Sequence, residues 1–471
     1  MAKVKIKGSK VIGTKKKDKI VWQSSKEWQK TLTVKARSGN DIIKFIKSPF
    51  KKNKLYGEAG NDKIYGSMNT DYIYGGDGND LLLGNVGNDR IYAGAGMDLI
   101  DGGSGKDKIW GESGANAISG GADNDTIYGG TGFDAITGGS GNDVIKLKAF
   151  AESSDSITIP LNSALRKLFG GKTSITLTKD KRTIVDGGSG DDKITDIQGG
   201  AIVDGGKGKD TITAISGNNT LKGGTGKDSI TGGTGDDYID GGSSDDTIIA
   251  TAGGNNKIYG GTGYDNIKSG SGNDYIDGGS HDDTINAGSG KNTVYGGSGN
   301  DSIVCGDGDD IIYGGQQNDT INAGGGNNTI YYKSQEGSDV IISGGGNDTI
   351  VFDGISGSLI TPGGYSGNDL IINIGSSKTM TLKDYKLLLE NHSVKTIVLD
   401  GVDHDISEFV PAPKAMAPRA IKASLSADIA AWQTDNSGYS DAAPVVGTEE
   451  ANPLVAVANN FESNPLSNGN C

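Results

Sequence analysis

The sequence predicts an all-β solenoid, a long stack of very short strands joined by tight turns. Three observations predict it. The 471-residue chain reads in a frame of nine for ten units from Gly57 to Lys146 and for eighteen units from Gly187 to Val351, with one extra residue at Ala250 and two at Tyr332–Lys333. Position eight of the frame is aliphatic in all twenty-eight units, from Ile64, Ile73 and Leu82 to Ile350. Finally, 80 residues are Gly and only 34% are hydrophobic, too few for a conventional core of this length but enough for one thin internal ladder.

Each part of the unit follows from its chemistry. Representative units are Gly-Gly-Lys-Gly-Lys-Asp-Thr-Ile-Thr (205–213) and Gly-Gly-Thr-Gly-Asp-Asp-Tyr-Ile-Asp (232–240). Positions seven to nine make a strand with one inward side chain. Glycines at positions one, two and four permit a tight turn with positive φ. Two units complete a coil of eighteen residues, and successive coils stack about 4.8 Å apart. Like turns then lie above like turns, and the Asp at position six forms a column along each edge. Such a column is unfavourable unless a cation lies between the carboxylates. Carboxylate and turn carbonyl oxygens are the donors that suit calcium. One buried aliphatic side chain and a few ladder hydrogen bonds per unit fall short of the backbone entropy of ordering nine residues. Metal binding is therefore expected to be coupled to folding.

The candidate metal ligands are these aspartates. In the first stretch they are Asp62, Asp71, Asp80, Asp89, Asp98, Asp107, Asp125, Asp134 and Asp143. In the second they are Asp192, Asp210, Asp228, Asp237, Asp246, Asp265, Asp274, Asp283, Asp301, Asp310, Asp319 and Asp348. This pattern resembles the RTX (repeats-in-toxin, haemolysin-type) calcium-binding proteins over more than half of the chain. The resemblance implies a right-handed parallel β-roll, with calcium held between position-six carboxylates and glycine carbonyls of stacked turns. It also implies export by type I secretion machinery that reads an uncleaved C-terminal signal. Enzymes and toxins occur in the family, but their activities lie in other domains.

Along the chain, residues 1–56 carry seventeen Lys and Arg against three acids, whereas the whole chain has a net charge of −14. This segment reads as a basic N-terminal cap of the solenoid or as a patch for anionic cell-surface polymers. Degenerate nonapeptides surround Asp18 and Asp41. Residues 57–146 are the first roll and 187–351 the second. Between them, 147–186 break the frame, with helical spacing in LNSALRKLF (161–169) and strand patterns in SITLT (174–178) and TIV (183–185). Whether this insertion loops out of one roll or joins two is open at this point. Residues 352–410 lose the glycines and gain ordinary strands at DLIINI (369–374), TMTLKDY (379–385) and VKTIVLDG (394–401), which suits a C-terminal β cap. Residues 411–471 hold six of the nine prolines and read as a disordered tail, with a short amphipathic stretch at SLSADIAAW (424–432). The family resemblance places the secretion signal in this tail.

Several function classes are disfavoured. The acidic balance argues against nucleic acid, and no apolar run reaches the length of a membrane span. MAKVKIKGSK at the start lacks the apolar core of a secretory signal. The three histidines, His281, His392 and His404, are scattered, and neither HExxH nor GxSxG occurs. Cys305 and Cys471 give no disulfide framework. Thr at position three (Thr131, Thr225, Thr234, Thr262) is too sparse for a regular ice-binding face. The expectation is a secreted, non-enzymatic calcium-binding protein with a structural or surface-interaction role. The alternative is a toxin or adhesin whose contacts lie in 1–56 or 147–186.

One further pattern bears on the sites. Counting units from Gly187, the odd ones have Asp at position six from Asp192 to Asp319, whereas the even ones read Ala201, Asn219, Asp237, Asn256, Asp274, Asn292, Asp310 and Asn328. Asn offers a neutral carbonyl where Asp offers a charge, so two classes of calcium site are expected.

Overall fold

In a computed structural model of the protein, the described residues are 5–7, 10–23, 31–47, 51–147, 156–160, 174–178, 183–334, 336–342, 344–385 and 393–410. The helix expected at 161–169, the stretch at 424–432, Cys471 and the tail 411–471 lie outside them. Alternating apolar and polar residues at positions seven to nine produce two parallel sheets back to back. Sheet one holds Lys10–Ile12, Leu32–Ser38, Lys52–Ala59, Thr70–Asp77, Arg90–Ala95 and onward to Val340–Ile342. Sheet two holds Lys19–Gln23, Ile42–Lys47, Lys63–Tyr65, Leu81–Leu83 and onward to Asp348–Asp353. The pairing keeps the frame, so that Ile73, Ile91, Ile109 and Ile127 stand in one column. Position-eight side chains of both sheets, such as Ile64, Ile100, Ile230 and Ile303, are fully buried between them. The fold is thus an all-β parallel β-solenoid.

The first edge consists of the turns that leave sheet two and enter sheet one; the second edge consists of the turns that leave sheet one and enter sheet two. From Gly188 to Gln316, first-edge pairing continues past the strand into position three. Gly206 pairs with Gly224 and Lys207 with Thr225, and the strands run to six residues, as in Tyr238–Ser243 and Tyr275–Ser280. On the second edge, after Thr211–Ser216, the strands stop sooner, as at Ser229–Thr231 and Asn266–Ser269, and bulges interrupt the pairing after Ile194 and after Asn286.

The insertion does not divide the stack. Val144–Lys146 pairs directly with Lys193–Gln198, and Ala135–Ser140 with Ile184–Ser189. The two repeat stretches are continuous, and the extra residues leave from one second-edge turn between Leu147 and Thr183. Within the insertion, Ser156–Pro160 pairs antiparallel with Ser174–Thr178. At the N-terminal end, parallel coils begin at Lys10, and Lys5–Lys7 pairs antiparallel with Lys10–Ile12 across the open edge of sheet one. At the other end, Lys378–Leu382 and Val394–Leu399 continue the two sheets. Antiparallel strands Asp369–Ile374, Ile360–Ser366 and Val402–Asp405 then turn the edges away from further stacking.

Outward-facing position nine of sheet one carries an aromatic ladder. Tyr56, Tyr74, Tyr92, Trp110 and Tyr128 stack with centroids 4.5–5.4 Å apart and planes within 4°. The Lys35 ammonium lies 4.8 Å from the first ring and that of Lys146 lies 5.8 Å from the last.

Candidate metal centre

The stack brings the predicted aspartates into two columns. Along the first edge run Asp71, Asp89, Asp107, Asp125, Asp143, Asp192, Asp210, Asp228, Asp246, Asp265, Asp283, Asp301 and Asp319. Each backbone N–H donates to Oδ1 of the next residue in the series, at 2.6–2.8 Å. The step from Asp143 to Asp192 crosses the insertion without interruption, at 2.6 Å. One carboxyl oxygen therefore stitches coil to coil. The other, Oδ2, is buried and has no hydrogen-bond partner in every one of these residues except Asp71, whose Oδ2 accepts the Ser67 N–H.

Those orphaned oxygens have a common surrounding. A Cβ placed on Gly205 would lie 2.6 Å from Asp210 Oδ2 and 2.6 Å from the Gly223 carbonyl oxygen. On Gly223 it would lie 2.5 Å from both Asp228 Oδ2 and the Gly241 carbonyl. Position one must be glycine here because a carboxylate oxygen and a carbonyl of the next coil converge on its Cα. Among the described residues no three acidic, His or Cys side chains converge on one point, so a cation at such a turn would draw on backbone carbonyls beside the carboxylate. Buried, unpartnered carboxylate oxygens beside inward carbonyls fit a hard divalent cation.

The electrostatics point the same way. Burial pushes Asp89, Asp125, Asp192, Asp283 and Asp319 up to about 8, with their neighbours in the column adding to the rise and the ladder N–H opposing it. Without a cation, these carboxyls resist ionisation.

The second edge holds Asp62, Asp80, Asp98 and Asp134, and beyond the insertion Asp237, Asp274, Asp310 and Asp348. Asp62, Asp80, Asp98, Asp237, Asp310 and Asp348 keep an unpartnered Oδ2, whereas that of Asp274 accepts the Ser269 hydroxyl at 2.5 Å. Between Asp134 and Asn219 this column has Thr183 and then Ala201, and the carboxylate ladder lapses.

The RTX calcium-binding nonapeptide repeat matches residues 52–146, 197–248 and 251–354 of the chain. This protein belongs to the RTX calcium-binding repeat family. As an RTX protein it binds calcium. Among solved structures it is similar to a hyperactive, Ca2+-dependent, β-helical antifreeze protein from an Antarctic bacterium, at 17% identity over 85% of this chain and 96% of that chain, with a TM-score of 0.22. No match is found among curated proteins.

Three members of the RTX columns precede the regular repeats, and one in-frame aspartate is absent from the ligand set. Asp18 and Asp41 head the second edge: the N–H of Asp18 donates to Asp41 Oδ1 and that of Asp41 to Asp62 Oδ1, both at 2.6 Å. The degenerate nonapeptides around them were the available signal. Asn53 heads the first edge through its amide to Asp71 Oδ1 at 2.5 Å, in a unit without the usual glycines. Asp339 ends that edge, accepting the N–H of Asp319 at 3.0 Å; it stands at position six of the unit that follows Tyr332–Lys333, so the frame itself carried the signal.

Proposed function

We propose that this RTX protein is exported and folds outside the cell on binding calcium, there serving a structural or surface-interaction role without catalysis. The observation that carries this reading is the row of buried, unpartnered aspartate oxygens along the first edge. A chain with that row ordered and no cation would hold its carboxyls against their chemistry, so low cytosolic calcium would leave it unfolded and suited to export. Calcium affinity in the weak extracellular range, about 10⁻⁴–10⁻³ M, matches this reading. Among the described residues no helix is long and apolar enough to cross a membrane. The exposed Lys15, Lys16, Lys17 and Lys19 on the first coils favour an anionic cell-surface polymer as the contact.

The test is circular dichroism of the full chain in millimolar calcium and in excess chelator. The expected result at pH 8 is a β-rich spectrum only with calcium; a β-rich spectrum that persists in chelator at that pH overturns the reading. Deleting residues 411–471 is expected to abolish export while leaving calcium-induced folding intact, and export of the truncated chain would refute the assignment of the signal to the tail.

A further inference from the structure

The two edges of the second repeat stretch differ in more than charge. On the first edge position one is Gly from Gly187 to Gly314. On the second, Gly232 excepted, the same place is taken by buried side chains: Ile197 pairs with Ala214, Ala250 with Ser269, and Ala287, Cys305 and Ala323 follow, all but Ser269 forming part of the main apolar core. These residues alternate in step with position six. Ala214, Ala250, Ala287 and Ala323 open the turns that carry Asn219, Asn256, Asn292 and Asn328, whereas Gly232, Ser269 and Cys305 open those that carry Asp237, Asp274 and Asp310.

The asparagine amides occupy the turn in a specific way. Asn219 Nδ2 donates to the Gly217 carbonyl at 2.6 Å, Asn256 Nδ2 to the Gly254 carbonyl at 3.2 Å and Asn292 Nδ2 to the Gly290 carbonyl at 3.3 Å. All three acceptors are position-four glycine carbonyls. Asn328 Nδ2 instead donates to Asp348 Oδ1 at 2.8 Å. Oδ1 of each Asn still accepts the ladder N–H of the preceding coil, at 2.9–3.1 Å. An N–H donor directed at a carbonyl takes the place a cation would need, and none of these turns leaves a side-chain oxygen without a partner.

We infer that the Ala–Asn turns of the second edge close without calcium, the amide and the buried methyl together replacing the ion. The turn at Ala201, which has no carboxylate at position six, extends the same metal-free run. The inference rests on the calcium reading above and deepens it: the ions of this half of the roll lie on the first edge, with the second edge contributing only at its remaining Asp turns. The long insertion, the single extra residue after Ala250 and the bulges after Ile194 and Asn286 lie on the second edge, whereas Tyr332–Lys333 lengthen the last first-edge turn, ahead of Asp339.

The test counts calcium per full-length chain at saturation, by elemental analysis after gel filtration. Restoring the first-edge pattern with Ala287→Gly/Asn292→Asp is expected to add at least one ion per chain. Asn292→Ala is expected to leave the count unchanged while lowering thermal stability by the same amount across calcium concentrations above saturation. A folded double variant with no additional calcium, a lower count in Asn292→Ala, or ions at the Asn turns of a crystal grown in calcium would overturn the inference. Failure of the parent chain to bind any calcium would instead overturn the reading on which it rests.

Discussion

A methyl added at Gly223, on the first edge, would lie 2.5 Å from both a carboxylate oxygen and a backbone carbonyl. Added at Gly232, one unit later on the second edge, it would meet Asp237 Oδ2 at 2.9 Å and Ile239 Cδ1 at 3.1 Å, with Ala250 Cβ at 3.6 Å. The two glycines occupy the same position of the same nonapeptide. At one, a carboxylate oxygen and a backbone carbonyl converge on the Cα; at the other, the carboxylate oxygen remains but an aliphatic side chain and the next coil's methyl stand where the carbonyl was. One repeat thus supports two ways of closing a turn. The ionic way fixes geometry closely and excludes side chains from position one. The apolar and amide way tolerates side chains, bulges and an insertion that begins after Leu147.

The largest expected effect comes from exchanging that one atom. Gly223→Ala should cost about 3 kcal/mol, the upper end for overpacking, because one obstructing atom is backbone and cannot rotate away. Gly232→Ala should stay within about 1 kcal/mol of the parent, since the unfolded chain also loses freedom. Thermal unfolding in saturating calcium measures both, and equal costs would erase the distinction between the edges.

A smaller effect is expected from charge alone. Asp228→Asn keeps an acceptor for the Asp210 N–H, a bond of 2.7 Å, and removes only the carboxylate charge. It should cost about 2 kcal/mol in calcium and raise the calcium concentration needed for folding. Asn256→Ala loses the bonds to the Asp237 N–H at 3.0 Å and the Gly254 carbonyl at 3.2 Å, and should cost about 1 kcal/mol whatever the calcium level above saturation. Paired calcium titrations followed by circular dichroism separate the two, and a calcium midpoint shifted equally by both changes would contradict the assignment.

The smallest expected effect is that of protons. With their pKa raised to between about 6 and about 8, first-edge carboxyls such as Asp143 and Asp192 bind protons in the folded, metal-free coil that the unfolded chain has already lost. Raised acids favour folding at low pH, so this contribution declines as pH climbs from about 4 to about 8. In chelator, β-structure should therefore be greater at pH 5 than at pH 8, while the calcium-loaded chain should show no such trend. The Asn turns add nothing to this dependence. Equal β content at the two pH values in chelator would argue against buried carboxyls in the metal-free coil.

Much of this was legible in the residues. Position eight marked the core, and Ile64 to Ile350 are buried as the frame requires. Position six marked the columns, and the alternation of Asp and Asn marked the edge that differs. Other features depend on register across coils, which a linear frame does not carry. Asp18 and Asp41 join the second column across irregular spacings of twenty-three and twenty-one residues. The continuity of the roll from Asp143 to Asp192 is a pairing between coils forty-nine residues apart. The division of labour between Oδ1 and Oδ2 is a matter of side-chain direction alone. The pairing of Ala with Asn was present in the sequence, but its meaning appears only where the methyl is seen to stand beside the core and the amide to point at a turn carbonyl.

The aromatic ladder gives the first half of the roll a signal of its own. Trp110 is flanked by Tyr92 at 4.5 Å and Tyr128 at 5.4 Å, with Tyr56 and Tyr74 continuing the stack. Light absorbed by these tyrosines passes to the indole at such separations and emerges as tryptophan emission. Each coil that docks brings one more ring within range, so the emission spectrum records the assembly of this stretch coil by coil. The tyrosines at 295, 313 and 331 stack in the other sheet with no indole among them, and their half of the roll stays optically silent by the same measure.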